Sequence, residues 1–308
     1  MARWIGRPGA LTLAGALVLG AAGFGGEARA LTVTAETDPA ALVSNILGPG
    51  ITVVGTPTFT GGAVQAGTFT GGAGSVGFDA GIVLSSGDVT QIPGANATGP
   101  ETLGGGGTAD DDLSTNVGTP GDADLDALSG FTTYDAAVLT FDFQFGDGSV
   151  GGDLYFNFVF ASEEYIDFVG SEFNDVFGFF VDGVNIALVP GTADPITVNT
   201  VNPTANAAYY VNNVTNTDGF AVAGLDIKFD GLTTVITASL TGLGPGVHSM
   251  KFAVADASDG ILDAAVFIEG GTFSSEPPPT GVPAPATPLL LAAGLLGAGA
   301  VRRRRRPA

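Results

Sequence analysis

Three observations predict an all-β fold, an antiparallel β-sandwich or jelly roll built as a single domain. Apolar residues recur at period two in short runs, as in Ala137, Leu139, Phe141, Phe143 and Phe145, the spacing that puts side chains on one face of a strand. The runs are cut by turn formers, with 49 glycines and 18 prolines in 308 residues. Only one segment of the central region carries a clear helix signature, so strands must supply the layers.

Taken in order, residues 1–30 read as an export signal. Arg3 and Arg7 precede an apolar run from Ala10 to about Phe24, and Ala28 and Ala30 place small residues where a signal peptidase cleaves. A short helix is expected next: Asp38 can cap it, Pro39 suits its first turn, Leu42 and Ile46 share a face, and Gly48 suits its stop. From Ile51 the signals are β. Thr58–Ala63 recurs as Thr68–Ala73; two copies are too few for a solenoid and fit two strands of similar make. Ile82–Leu84 is a further strand. Residues 91–130 are Gly- and Asp-rich, and the Asp122, Asp124, Asp126 spacing lacks the Gly and Glu positions of an EF-hand, so it is expected to be a solvated loop.

Strands follow at 135–145 and, after the turn at 146–152, at Leu154–Phe160 and Val176–Val181. Candidates continue at 184–189, 196–201, 209–211 and 225–229. The runs 233–240 and 247–255 flank Leu243-Gly-Pro-Gly246 and read as a hairpin, and Ala264–Glu269 ends the β region. The β domain thus spans 31–275. Residues 276–288 form a Pro-rich linker, and 289–308 an apolar helix closed by Arg302, Arg303, Arg304, Arg305 and Arg306. Counted from Val282, the apolar span reaches the minimum for crossing a bilayer, with the arginines holding its end in the cytoplasm.

Without the two ends, residues 31–281 retain Lys228 and Lys251 against thirty carboxylates, a net charge of about −28. Such a surface repels nucleic acid and anionic lipid and attracts divalent cations. With no cysteine, no disulfide staples the fold. The charge concentrates between the two Phe-rich strands, where Glu163, Glu164, Asp167, Glu172, Asn174 and Asp175 occur without a Lys or Arg. A second acidic loop carries Asp256, Asp259 and Asp263 around Gly260. If the loops meet, Glu163, Glu164, Asn174, Asp175, Asp256, Asp259 and Asp263 are the candidate oxygen ligands of a structural Ca²⁺.

The inventory for catalysis is thin. His248 is the sole histidine and shares a strand face with Met250, Phe252 and Val254, a structural position. Serine-nucleophile and zinc motifs are missing. Glu163 and Glu164 leave one enzymatic alternative, a carboxylate-dependent glycosidase acting on exopolysaccharide, although adjacent residues of an extended chain point apart. The chain is expected to be no enzyme.

Two resemblances extend this reading. The tail, with Val282, Pro283, Ala284, Pro285 and Ala286 ahead of the apolar segment and the Arg cluster, resembles the PEP-CTERM sorting signals, closest to the VPxPA type. That implies handling by signal peptidase and an exosortase-like enzyme, and a transient inner-membrane anchor. The destination would be the surface or biofilm matrix of a Gram-negative-type bacterium. The stretch FVFASEEYIDFVGSEFNDVFGFF, with YDAAVLTFDF before and KFAVADASDGILDAAVFIEGG after, resembles the choice-of-anchor L domain. The resemblance runs from about Ala40 to Phe273. It implies an extracellular β domain without established catalytic activity, whose partners would be polysaccharide or surface proteins.

Overall fold

A computed structural model describes residues 30–96, 113–214 and 222–278. The elements are β1 (Thr32–Ala35), α1 (Pro39–Ile46), β2 (Ile51–Thr60), β3 (Ala66–Thr70), β4 (Ala80–Ser85), α2 (Ala123–Ser129) and β5 (Thr133–Phe145). After them come β6 (Gly152–Ser162), β7 (Val176–Val181), β8 (Val184–Asn185), β9 (Tyr210–Asn212), β10 (Gly231–Thr233), β11 (Ile236–Leu243), β12 (His248–Ala257) and β13 (Ala264–Glu269). They form two antiparallel sheets: eight strands in the order β1-β3-β4-β13-β6-β10-β9, with β11 also on β6, and five in the order β2-β5-β12-β7-β8. The predicted all-β sandwich is what forms.

Alternation explains the packing. Phe156, Phe158 and Phe160 of β6 meet Phe177 and Phe179 of β7 across the gap, with ring centroids 4.9 Å apart for Phe156–Phe179 and Phe160–Phe177. Phe252 of β12 adds a ring to each sheet's set, lying edge-on to both Phe156 and Phe179. Edge-to-face geometry aligns ring quadrupoles and adds to the burial of large apolar area. The outer faces are covered too. Residues 225–229, with Phe78, Val89 and Leu113, cap the larger sheet over Phe69, Val83, Val159 and Phe267. Helix α2 covers the smaller one over Phe180 and Ala253. The central strands are therefore apolar on both sides.

Helix α1 begins as expected, with the Asp38 side chain accepting from Ala40 N at 3.0 Å and Pro39 in its first turn. Gly48 does not close it in a left-handed form; Leu47 is the cap, at φ −60°. A Cβ on Gly48 would lie 2.3 Å from the Gly271 carbonyl, so close approach demands this glycine.

Other expectations need correction. The Asp122–Asp126 run is not a solvated loop but the start of a second helix, α2. Asp122 caps it through Asp124 N and Leu125 N, and Gly130 closes it at φ +81°. Lys251 Nζ sits 2.6 Å from Asp122 and 2.7 Å from Asp124. The Thr58 and Thr68 repeats are strands, yet they lie in different sheets. The 243–246 turn makes no hairpin, because β11 pairs with β6 while β12 pairs with β5 and β7. Turn chemistry marks where a chain reverses and says nothing of which sheet receives it. Of the run 184–189 only Val184 and Asn185 pair as a strand, with Leu188 adding a single bridge to Pro195, while 196–201 and 225–229 contribute single bridges and bury their apolar side chains as covering segments.

Residue Ala28, the sorting motif Val282–Ala286, the helix expected at 289–301 and Arg302–Arg306 lie outside the described residues. Among the described residues no helix is long and apolar enough to cross a membrane.

Candidate functional site

Strand pairing forces the two acidic connectors together. Ser162, the end of β6, pairs with Ala264, the start of β13. Val176, the start of β7, pairs with Ala255 near the end of β12. Residues 163–175 cross from the larger sheet to the smaller, and 258–263 cross back at the same end. The two runs touch: Glu163 N donates to the Asp263 carbonyl at 3.1 Å, and Ser258 Oγ to the Glu172 carbonyl at 2.8 Å. The acidic loops therefore meet.

What surrounds the carboxylates is mostly backbone N–H. Asp175 is fully buried, its Oδ2 accepting from Ser162 Oγ at 2.9 Å and its Oδ1 from Ala257 N at 3.1 Å. A third segment, which sequence reasoning passed over, runs along the cluster with alternate N–H groups facing it. Leu113 N reaches Glu163 Oε1 at 3.4 Å, Thr115 N reaches Asp263 Oδ1 at 2.8 Å, and Val117 N and Thr119 N reach Asp135 at 3.1 and 2.7 Å. Period-two alternation of the backbone aims successive odd-numbered amides the same way. Glu163 Oε2 also accepts from Asp230 N at 3.2 Å.

Asp135 joins the group from the start of β5. Its φ of +51° is a left-handed conformation that Asp tolerates. The only sign of it in the chain is an Asp heading an apolar strand. Gly87 is the fourth wall: a Cβ there would lie 1.7 Å from Asp263 Oδ2.

Asp256 is different. It is 0% exposed, and neither carboxylate oxygen has a partner in hydrogen-bonding geometry. Burial pushes its carboxyl well above the usual range, and the charges of Asp175, Asp263 and Asp135 push the same way; the nearby Ser86 hydroxyl opposes this only in part. Burial likewise raises Asp175, against the N–H of Ala257 and the hydroxyl of Ser162. It lifts Asp263 to about 6, against the Thr115 bond and with the charges of Asp135 and Asp88.

The other predicted ligands have other work. Asn174 donates to the Ser129 carbonyl at 3.3 Å and accepts from Asn199 N at 2.9 Å, tying the connector to α2 and to residue 199. Asp259 is half-buried and turns the chain by accepting from Ile261 N at 3.1 Å; burial first, then the Glu172 charge, raises its carboxyl. Glu163 and Glu164 are each 2% exposed, so neither presents a carboxylate to a large substrate. Among the described residues no three such side chains converge tightly enough to ligate one ion as they stand.

His248 occupies the packed strand position expected of it. Its ring packs on Phe143 and Phe145, with Nδ1 2.7 Å from Asp182 Oδ2 and Nε2 2.9 Å from the Gly244 carbonyl. On the outer face of the smaller sheet, a shallow cleft of about 380 Å³ is lined by Thr140, Asp142, Phe180, Ser249 and Lys251.

Comparison with known proteins gives one match. The family model of the choice-of-anchor L domain covers residues 32–274. No curated protein and no solved structure matches the chain.

Proposed function

The chain belongs to the choice-of-anchor L domain family, one of surface-anchored or exported proteins, and from that premise we propose that it serves as a non-enzymatic structural or binding module of the bacterial surface or extracellular matrix. In this proposal signal peptidase removes residues 1–30. An exosortase-like enzyme reads Val282–Ala286 and the arginine cluster after a transient inner-membrane stage. A structural Ca²⁺ stabilises the domain, and biofilm polysaccharide or surface proteins are its partners.

The observation that carries the reading is the match over 32–274, which coincides with the elements from Thr32 to Glu269; residues 1–31 and 275–308, where the proposal puts the sorting segments, lie outside the match. The burial of Glu163 and Glu164 weighs against the glycosidase alternative. Fractionation and intact mass of the exported protein test the proposal. A surface or matrix product lacking the first 30 residues, and shortened at the tail, is the expected result. An uncleaved cytoplasmic chain refutes it. Glu163→Gln or Glu164→Gln abolishing polysaccharide turnover would instead reveal an enzyme.

A further inference from the structure

We infer that the seam end of the sandwich is a docking surface for a partner protein that presents an apolar patch rimmed by Lys and Arg; this deepens the binding role proposed above and rests on its surface location. Strand directions set the two ends of the sheets apart. The seam gathers the end of β6 and the starts of β7 and β13. Thr32 lies at the other end of its strand, paired with Thr70, which in turn pairs with Ala80. Ser275 N donates to the Pro49 carbonyl at 3.0 Å, next to Ile51, which pairs with Phe145 at the far end of β5. The chain thus enters and leaves the domain away from the seam, and a protein held by its tail turns the seam outward.

Three connectors meet at that outward end: 129–134, 163–175 and 258–263. Ser258 N donates to the Thr132 carbonyl at 2.8 Å, Ser258 Oγ to the Glu172 carbonyl at 2.8 Å, and Asn174 Nδ2 to the Ser129 carbonyl at 3.3 Å. The loops so tied carry Phe131, Tyr134 and Ile261, which are 36%, 42% and 54% exposed. Half-buried Phe168 and Phe173, with rings edge-on at 5.2 Å, lie on the same connectors. Among the described residues no other aromatic side chain is as exposed as Phe131 and Tyr134. Exposed rings grouped on loops fixed from beneath have the makeup of an interface centre. Around them stand exposed Glu172 and half-buried Asp259, and none of the three connectors contains a Lys or Arg. A second copy, anionic lipid or an acidic polysaccharide brings the same sign of charge and is repelled. A neutral saccharide would use the rings but leave Ile261 and the carboxylate rim unmatched. A protein with an apolar patch and a basic rim meets both.

The test uses the absence of cysteine, which lets one introduced thiol report its own exposure. Thr132→Cys places it in the patch, and Ser239→Cys, on exposed β11, serves as control. Each full chain is made by the bacterium that exports it and labelled on intact cells with a membrane-impermeant maleimide. With partner at about four times Kd, labelling at 132 should be about fivefold slower than in the extracted protein. About 1 M NaCl, which screens the acidic rim, should restore the rate at 132, and neither condition should alter it at 239. Adding Phe131→Ser and Ile261→Ser, surface changes that keep the charge, should remove most of the protection. Equal rates at 132 on cells and after extraction overturn the docking surface but not the surface location. Protection that survives in the Ser variants overturns the patch as the contact. Protection that resists salt and yields to glycan digestion overturns the protein partner in favour of a saccharide. Labelling at both positions only after lysis overturns the surface location and this inference with it.

Discussion

His248 offers a test free of ambiguity, because the chain has one histidine. Both ring nitrogens face acceptors, the Asp182 carboxylate at 2.7 Å and the Gly244 carbonyl at 2.9 Å. Only the doubly protonated imidazolium donates to both. Burial by itself would lower its pKa; the bonds to Asp182 and Gly244 and the Asp182 charge outweigh it, and the pKa rises above 6.5. Burial would raise Asp182, and its bonds from His248 and Ser249 instead bring it below 3.8.

For the histidine, a raised folded pKa means stability present below about pH 6.5 and lost as pH climbs through the folded value. For the aspartate, stability is present above 3.8 and lost as pH falls through its lowered value. The clamp therefore contributes most between about pH 4 and 6.5. A charge-assisted bond from the buried His248 ring to the Gly244 carbonyl, whose residue is exposed, takes the low end of such bonds, about 1.5 kcal/mol, and the pair with half-exposed Asp182 adds about 0.5 kcal/mol. The sum, about 2 kcal/mol, corresponds to roughly 4–8 °C in a domain of this size.

Melting of wild type and His248→Gln from pH 5 to 9 in chelator reads this out. The gap should be widest near pH 5.5 and shrink by that amount at pH 9, since the buried carboxylates are common to both proteins. A pH-independent gap, or an imidazole pKa at or below 6.5 by NMR, refutes the argument.

Three further outcomes follow from the same geometry. Phe252→Ala removes a fully buried ring in contact with Phe141, Phe156, Phe179 and Phe273 and should cost about 3–5 kcal/mol by denaturant unfolding; under 1 kcal/mol would mean the rings do not share one core. Asp122→Ala removes the α2 cap and Lys251's partner and should cost about 1–2 kcal/mol, with far-UV circular dichroism almost unchanged. Asp263, raised by burial to about 6, contributes stability that is present below pH 3.8 and lost on rising through 6; the protein in chelator should weaken over that interval and Asp263→Asn should weaken less, as pH-dependent melts will show.

Much of the fold was legible because strands announce themselves by period. The Phe alternation of 137–145 and 154–160 located β5 and β6, and the Asp38-Pro39 start located α1. Asp122 reads as a loop residue in the sequence because a capping Asp and a loop Asp look alike until the residues after it are seen to bury Leu125. Burial without pairing was equally opaque: Ile196 and Phe229 are as apolar as any strand residue, yet cover the sheets from loops.

For the site, residue types determined that carboxylates would crowd two connectors with almost no internal cation, a consequence of composition alone. Only the tertiary structure decided how each is accommodated. Pairing of β6 with β13 and of β7 with β12 brings the loops to one end, and the 113–119 amides align with Glu163, Asp263 and Asp135 from far along the chain. Among the described residues Asp256 is left fully buried with only the Ser86 hydroxyl nearby and neither oxygen in a well-formed hydrogen bond. Hydrogen bonding is local in space and not in sequence, so nothing short of the folded chain distinguishes Asp256 from Asp259 three residues away.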